Sequence, residues 1–132
     1  MSLYLLDTDI ASYIIKGRYP KVNARFAETS GNVFISSITA AELRYGAVKL
    51  GNDHLLQKVL DFCGLVPCLS WGGATVQAYA ELRTALTNAG TPIDTMDMLI
   101  AAAALAENLT LVTNNITRFS RVPKLKLENW VE

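Results

Sequence analysis

The sequence has few of the residues on which enzyme nucleophiles and structural metal sites depend. Its 132 residues include one histidine and two cysteines. The spacing of Cys63 and Cys68 matches no zinc or thiol-redox motif, and no pair of histidines accompanies them. We therefore expect both cysteines to be small buried core residues, and the lone His54 to be a solvated surface side chain without an orienting partner. No serine or cysteine has the neighbours that nucleophilic catalysis requires, and there is no glycine-rich phosphate-binding loop.

Long apolar runs, a leader-like N-terminus and an excess of either charge are also missing. No run reaches the length of a membrane-spanning helix, and the first residues do not resemble a leader, so we expect a cytoplasmic protein with no membrane association. Twelve basic and twelve acidic residues give a formal net charge of zero. Nucleic-acid-binding proteins are usually basic. Here the basic residues concentrate near both ends and acids dominate the middle, so a basic rim can lie beside an acidic centre.

Short apolar runs alternate with helical patterns along the whole chain. Strands are predicted at residues 3–6, 33–36, 66–69 and 110–113, with a fifth suggested at 125–127. Helices are predicted at residues 10–16, from 20, 40–49, from 53, 74–89 and 95–106. This alternation predicts one α/β domain over residues 1–132, in which helices cover both faces of a central, mostly parallel sheet of four to five strands. Pro67 favours an edge position for its strand, and Trp130 is expected to pack over the core as a lid.

Several of these segments lead to a carboxylate, amide or hydroxyl side chain. Asp7 directly follows one predicted strand, Thr113 is the last residue of another, and Asn115 comes two residues after Thr113. Glu42 and Asp97 fall in the first turns of predicted helices. Ligands bind beyond the carboxyl ends of parallel strands. Carboxylates that meet there must protonate or share a cation, and oxygen ligands suit a divalent metal.

Each acid also has a purely structural interpretation. Asp7 can cap a helix, and Glu42 can form a capping box with Thr39. Asp97 is harder to explain structurally, because it lies inside the apolar run 96–102, where a buried charge needs a partner or a metal. Asp94 can cap the same helix while Asp97 points inward.

The order and spacing of these motifs resemble the PIN domain and, within it, the VapC family of ribonuclease toxins of type II toxin–antitoxin modules. The matching segments cover nearly the whole chain and comprise residues 5–10, 35–46, 90–102, 111–119 and 127–130. The resemblance implies a three-layer PIN-like domain with an acidic triad at Asp7, Glu42 and Asp97 that binds Mg²⁺ or Mn²⁺. Asp7 and Asp97 would bind the ion directly, and Glu42 would bind through water or act as a base. Thr113 and Asn115 match the positions that complete the pocket.

The resemblance also implies a substrate and partners. It suggests an endoribonuclease acting on RNA such as transfer RNA, a cognate VapB-like antitoxin whose C-terminal segment lies in an apolar groove near the first helices, and a homodimer. Relatives often carry a fourth acid at one of two positions, which are Asn115 and Arg118 here, so a second metal would be held less tightly. Four basic residues are candidates for holding the RNA backbone: Arg18, Lys21, Arg44 and Arg118.

Two other functions fit part of the pattern. The missing fourth acid is compatible with a non-catalytic PIN-like module that binds RNA without cleaving it. Asp7 and Asp9 after an apolar strand also resemble the start of a haloacid-dehalogenase-type phosphatase, with Asp7 as nucleophile and Asp9 as acid/base. That family has Thr or Val where this chain has Ala11, and a late acidic pair with a lysine is missing.

Overall fold

The structure is a computed structural model that describes residues 2–132. Five strands and seven helices follow one another over these residues; the sequence pattern predicted the five strands and six of the helices, and the short α7 was not predicted. In chain order they are β1 (Tyr4–Leu6), α1 (Thr8–Lys16), α2 (Pro20–Glu28), β2 (Val33–Ser36), α3 (Ser37–Lys49), α4 (Asp53–Leu65), β3 (Cys68–Leu69), α5 (Ala74–Ala89), α6 (Thr95–Ala106), β4 (Thr110–Val112), α7 (Ile116–Phe119) and β5 (Leu127–Glu128).

The strands form one five-stranded sheet in the order β3-β2-β1-β4-β5. All four neighbouring pairs are parallel, which confirms the predicted sheet. β3 lies at an edge, as Pro67 indicated. The central strand β1 is in register with β4, so that Leu6 pairs with Val112. The next residues, Asp7 and Thr113, therefore leave the sheet side by side at its carboxyl edge.

Helices cover both faces of the sheet, because successive strand residues point to opposite sides. Leu5 and Leu111 belong to the core cluster that packs against α5 and α6. Leu6 and Val112 belong to the cluster that packs against α1 to α4. All four side chains are fully buried. The predicted three-layer architecture is confirmed.

Trp130 closes the second of these clusters, as expected of a lid. It is 2% exposed, and its ring meets that of Tyr4 edge-on with centroids 5.4 Å apart. Its indole N–H donates to Glu128 at 2.9 Å. Arg25 forms an ion pair with the same carboxylate and lies 5.4 Å from the centre of the Trp130 ring. The end of the described chain is therefore fixed against β1 and α2.

Two helices begin earlier than the sequence pattern predicted. Asp7 is the N-cap of α1, and Ser36 is the N-cap of α3, where its hydroxyl accepts from the N–H of Thr39 at 3.2 Å. The capping-box interpretation of Thr39 and Glu42 is therefore wrong, and Glu42 lies in the second turn of α3 rather than the first. Several adjacent serines and threonines can cap this helix. Ser36 is the N-cap because β2 ends at that residue.

The cysteine prediction was also wrong in part. Cys63 is half-buried, whereas Cys68 is exposed because β3 is a short edge strand. His54 is exposed in the first turn of α4, as expected. In the part of the chain that the structure describes, no helix is both long enough and apolar enough to cross a membrane.

Candidate active site

The site is built around Asp7, at the carboxyl end of the central strand. Its carboxylate caps α1 by accepting from the backbone N–H of Ile10 at 2.8 Å. The residue is only 6% exposed. The helix-capping interpretation of Asp7 is therefore correct. It does not exclude a second role, because this bond uses one of the two carboxylate oxygens and the other remains to accept a different partner.

Burial has a large effect on the charge of Asp7. Loss of water around the carboxyl raises its pKa from an ordinary 3.8 to about 7. Hydrogen bonds from the Thr113 hydroxyl and the Ile10 N–H lower the pKa, and the nearby negative charges of Asp9 and Asp97 raise it further. A positive charge beside Asp7 would therefore be needed to keep it fully ionised at neutral pH.

Thr113 links Asp7 to the last part of the site. It follows β4, is fully buried, and its hydroxyl lies near enough to the Asp7 carboxyl to lower the pKa of that group. Its hydroxyl oxygen also accepts from the backbone N–H of Asn115 at 2.9 Å. The half-buried Asn115 in turn caps the short helix α7, with its side-chain oxygen accepting from the N–H of Arg118 at 3.2 Å. Both predicted pocket residues thus hold the loop that leads from β4 to Arg118.

Asp97 approaches from the first turn of α6. Asp94 caps that helix by accepting from the N–H of Met96 at 3.2 Å, which leaves the Asp97 side chain free of the helix end. The Asp97 side chain is 22% exposed and binds Arg118, with Nη1 2.6 Å from Oδ2. The charge of Asp97 also acts on Asp7. Asp97 therefore does have the partner that its apolar surroundings require, and that partner is a cation.

Glu42 reaches the site through a hydroxyl group. The Thr8 hydroxyl donates to Glu42 Oε1 at 2.6 Å and lies 3.2 Å from the hydroxyl oxygen of Thr39. Thr8 directly follows Asp7, so this bond holds Glu42 at the rim of the same pocket. Sequence reasoning missed Thr8. The only signal was its place beside Asp7, and nothing in the sequence pairs it with a residue 34 positions away.

The three acids surround one region without meeting. Within residues 2–132, no three acidic, histidine or cysteine side chains lie close enough together to form a ready metal site. The donor set is nevertheless all oxygen, with two half-buried carboxylates beside a buried one, and it suits Mg²⁺ or Mn²⁺ by its chemistry. Asp7 is fixed by packing and by its cap, whereas Glu42 and Asp97 are partly exposed.

The predicted RNA-binding residues do not all lie at this pocket. Arg118 contacts Asp97 directly. Arg18 follows the far end of α1, beyond roughly 12 Å of helix from Asp7. Lys21 is exposed on α2. Arg44 is exposed on α3 and lies close enough to Cys63 for its charge to lower the pKa of that thiol, which burial raises. Arg118 is thus the one cation among these four that the structure brings to the acids.

A groove begins at the same pocket and runs between α1, α3 and α4. Its volume is about 160 Å³, and Thr8, Asp9 and Glu42 line its polar end. The rest is lined mainly by apolar side chains, together with Ser12, Lys16 and Gly46; the apolar residues are Ile15, Leu43, Ala47, Leu50, Leu55 and Val59. Leu50 is 69% exposed. An apolar surface therefore leads directly to the acids.

Known proteins share this fold and sequence over almost the full chain. The PIN domain profile matches residues 4–125. The chain is 41% identical to the ribonuclease VapC2 of Rickettsia felis, over 97% of this chain and 98% of that protein. It is 33% identical to the tRNA(fMet)-specific endonuclease VapC of Salmonella typhimurium, over 98% and 99% of the two chains.

Solved structures agree with these similarities. The VapBC2 structure of Rickettsia felis, bound to a promoter DNA fragment, superposes with a TM-score of 0.89 at 40% identity, over 97% of this chain and 98% of the matched one. The DNA-bound VapBC structure of Salmonella typhimurium gives a TM-score of 0.93 at 33% identity, over 98% and 99%. The chain therefore belongs to the PIN domain family and, within it, to the VapC ribonucleases.

Proposed function

We propose that this protein is a Mg²⁺-dependent endoribonuclease that acts as the toxin of a type II toxin–antitoxin pair. The observation that carries the proposal is the buried Asp7 at the carboxyl end of the central strand, with the charge of Asp97 beside it. A buried carboxylate under the influence of a second acid favours a bound cation. Its relatives named above share the description of ribonuclease or endonuclease.

Asp7, Asp97 and Glu42 are the residues that would hold the metal. A bound Mg²⁺ would supply an activated water and neutralise charge on the scissile phosphate. Asp7 would provide a rigid ligand because β1 and the α1 cap fix its position. Glu42, held by the Thr8 hydroxyl, would accept a proton from the attacking water. Asn115 acts by holding α7 at the pocket.

The substrate we propose is structured RNA, with transfer RNA the first class to test. One relative is named as a tRNA(fMet)-specific endonuclease. Hydrolysis by this site would leave a 5′-phosphate and a 3′-hydroxyl. Arg118 is placed to bind RNA phosphate near the acids, and the exposed Arg18, Lys21 and Arg44 would contact the backbone farther away.

The proposed partner is a VapB-like antitoxin that occupies the groove between α1, α3 and α4. Both solved structures described above are VapBC complexes. An antitoxin segment in this groove would lay apolar side chains on Leu50 and Leu55 and reach the acids at the polar end. A homodimer is also proposed. RNA and antitoxin would be met in the cytoplasm.

The test is RNA cleavage by the purified protein, with added Mg²⁺ and with EDTA. We expect cleavage of transfer RNA that EDTA abolishes, and a loss of at least about a hundredfold in Asp7→Asn and in Asp97→Asn. Asp61→Asn is the matched control, because this exposed acid contacts only Gln57 in its own helix. Cleavage by the two site variants at the wild-type rate would refute the proposed site.

A second function is favoured by one observation, the arginine that binds Asp97 at a position where the resemblance to the VapC family implies a fourth acid. A module that binds RNA without turnover would retain transfer RNA and give no cleavage with Mg²⁺ or Mn²⁺. A single-stranded or duplex RNA cleaved by the wild type and spared by Asp7→Asn would exclude this alternative.

A further inference from the structure

The short helix α7 brings an arginine into a pocket that is otherwise acidic. Phe119 is 1% exposed and anchors the helix in the core cluster below α6. The neighbouring Arg118 points the other way, and its side chain is 44% exposed. The backbone that carries Arg118 is therefore fixed by the buried Phe119 and by the Asn115 cap. The guanidinium at the end of the side chain keeps access to solvent and freedom to move.

Arg118 is surrounded by negative charge. It forms the ion pair with Asp97, at 2.6 Å, and the charges of Asp94 and Asp9 act on it as well. Within residues 2–132, no other ion pair involves an acid of the site, since the remaining pairs join Arg25 to Glu28 and Glu128. A single flexible guanidinium thus serves as the counter-ion of the pocket.

A divalent metal bound by Asp97 Oδ2 would compete with this guanidinium for that oxygen. Direct coordination by Mg²⁺ places the ion about 2.1 Å from a carboxylate oxygen. The Arg118 nitrogen lies 2.6 Å from Asp97 Oδ2. Two positive groups that close to one oxygen would repel each other, and the arginine is the one that can leave, because its side chain is long and partly exposed.

We propose that Arg118 is an internal counter-ion for Asp97 that a divalent metal must displace, so that this one side chain sets the metal affinity of the site. The ion pair also keeps Asp97 Oδ2 beside a positive charge in the metal-free protein. The inference rests on the proposed function, because it takes Asp97 to be a metal ligand.

The test compares Arg118→Met with Arg121→Met. Arg121 lies three residues away and donates to the Pro92 carbonyl without touching a carboxylate, so its replacement controls for the general loss of one positive charge. Both side chains are exposed, and methionine keeps most of their length, so both variants should fold. Mn²⁺ affinity is measured by calorimetry on metal-free protein, and thermal unfolding is measured without metal and at saturating Mn²⁺.

We expect Arg118→Met to bind Mn²⁺ about fivefold more tightly than the wild type, the upper range for a partly exposed ion pair, and Arg121→Met to bind it with unchanged affinity. Arg118→Met should also lower the melting temperature of the metal-free protein only, because a displaced arginine contributes nothing once metal is bound. If the wild type binds Mn²⁺ and cleaves RNA but Arg118→Met binds Mn²⁺ no more tightly than the wild type does, the inference is overturned and the proposed function is not. Failure of both proteins to bind Mn²⁺ would overturn the proposed metal site together with it.

Discussion

The buried Asp7 should make the metal-free protein less stable as pH rises. The folded state holds the Asp7 proton with a pKa of about 7, against an ordinary 3.8. Because the folded state binds this proton more tightly than the unfolded state does, stability is lost as pH increases between these two values. The residue is nearly inaccessible to water, so solvent screening does not reduce the effect. A shift of about three pH units corresponds to about 4 kcal/mol.

Asp7→Asn removes this titration and preserves the helix cap. Asparagine is as good an N-cap as aspartate, and its side-chain oxygen can accept from the Ile10 N–H as Asp7 does. In EDTA, we expect the variant to exceed the wild type in free energy of unfolding by about 1.5 kcal/mol at pH 5 and about 4 kcal/mol at pH 8. Near pH 4 the two proteins should be similar.

Urea denaturation followed by circular dichroism, at pH 4, 5, 6, 7 and 8, measures the difference. Asp61→Asn is the control, because this exposed acid should follow the wild-type profile within about 0.5 kcal/mol. Saturating Mn²⁺ should raise the free energy of unfolding of the wild type at pH 8 and leave that of Asp7→Asn unchanged. Parallel pH profiles for wild type and Asp7→Asn, or a variant that is less stable at pH 8, would show that Asp7 is not destabilised by its burial.

Two more substitutions test the surroundings of Asp7. Thr8→Val removes the hydrogen bond to Glu42 and should lower the kcat for RNA cleavage about tenfold in a steady-state assay. Thr8→Ser keeps the hydroxyl, so its kcat should stay near that of the wild type. Equal kcat values for the two variants would exclude a role for this bond. Leu50→Asp should weaken binding of a co-expressed antitoxin at least about tenfold with little change in melting temperature. Leu65→Asp is the matched control in a pull-down titration, since Leu65 is similarly exposed, at 72%, and lies off the groove.

The fold and the centre of the site were predictable because both follow from local patterns. An apolar run that ends in an acid identifies β1 and Asp7, and parallel strands place Asp7 and Thr113 at one edge of the sheet. The alternation of strand and helix patterns also fixed the layers. The strand order was not predicted, because it depends on contacts between segments far apart in the chain.

Features that depend on the choice between equivalent neighbours could not be predicted. Ser36 and Thr39 both suit an N-cap, and the length of β2 decides for Ser36. That choice releases Glu42 from a capping box and allows it to bond to Thr8. Likewise, the sequence marked Arg118 as a candidate for RNA contact, but its pairing with Asp97 depends on how α7 packs beside α6. Long side chains that meet across 21 residues leave no periodic signal.

The same physical conflict leads us to expect a site that is destabilised without a cation and suited to binding one. Asp7 is buried because it must follow the central strand and cap α1, and in that position its charge lacks water. The structure relieves the conflict in two ways without metal: proton uptake by Asp7 at neutral pH, and neutralisation of Asp97 by Arg118. In the proposed site, a divalent ion would replace the proton and the arginine together. Metal binding should therefore release protons near pH 6 and free a guanidinium beside the phosphate that the site is proposed to cleave.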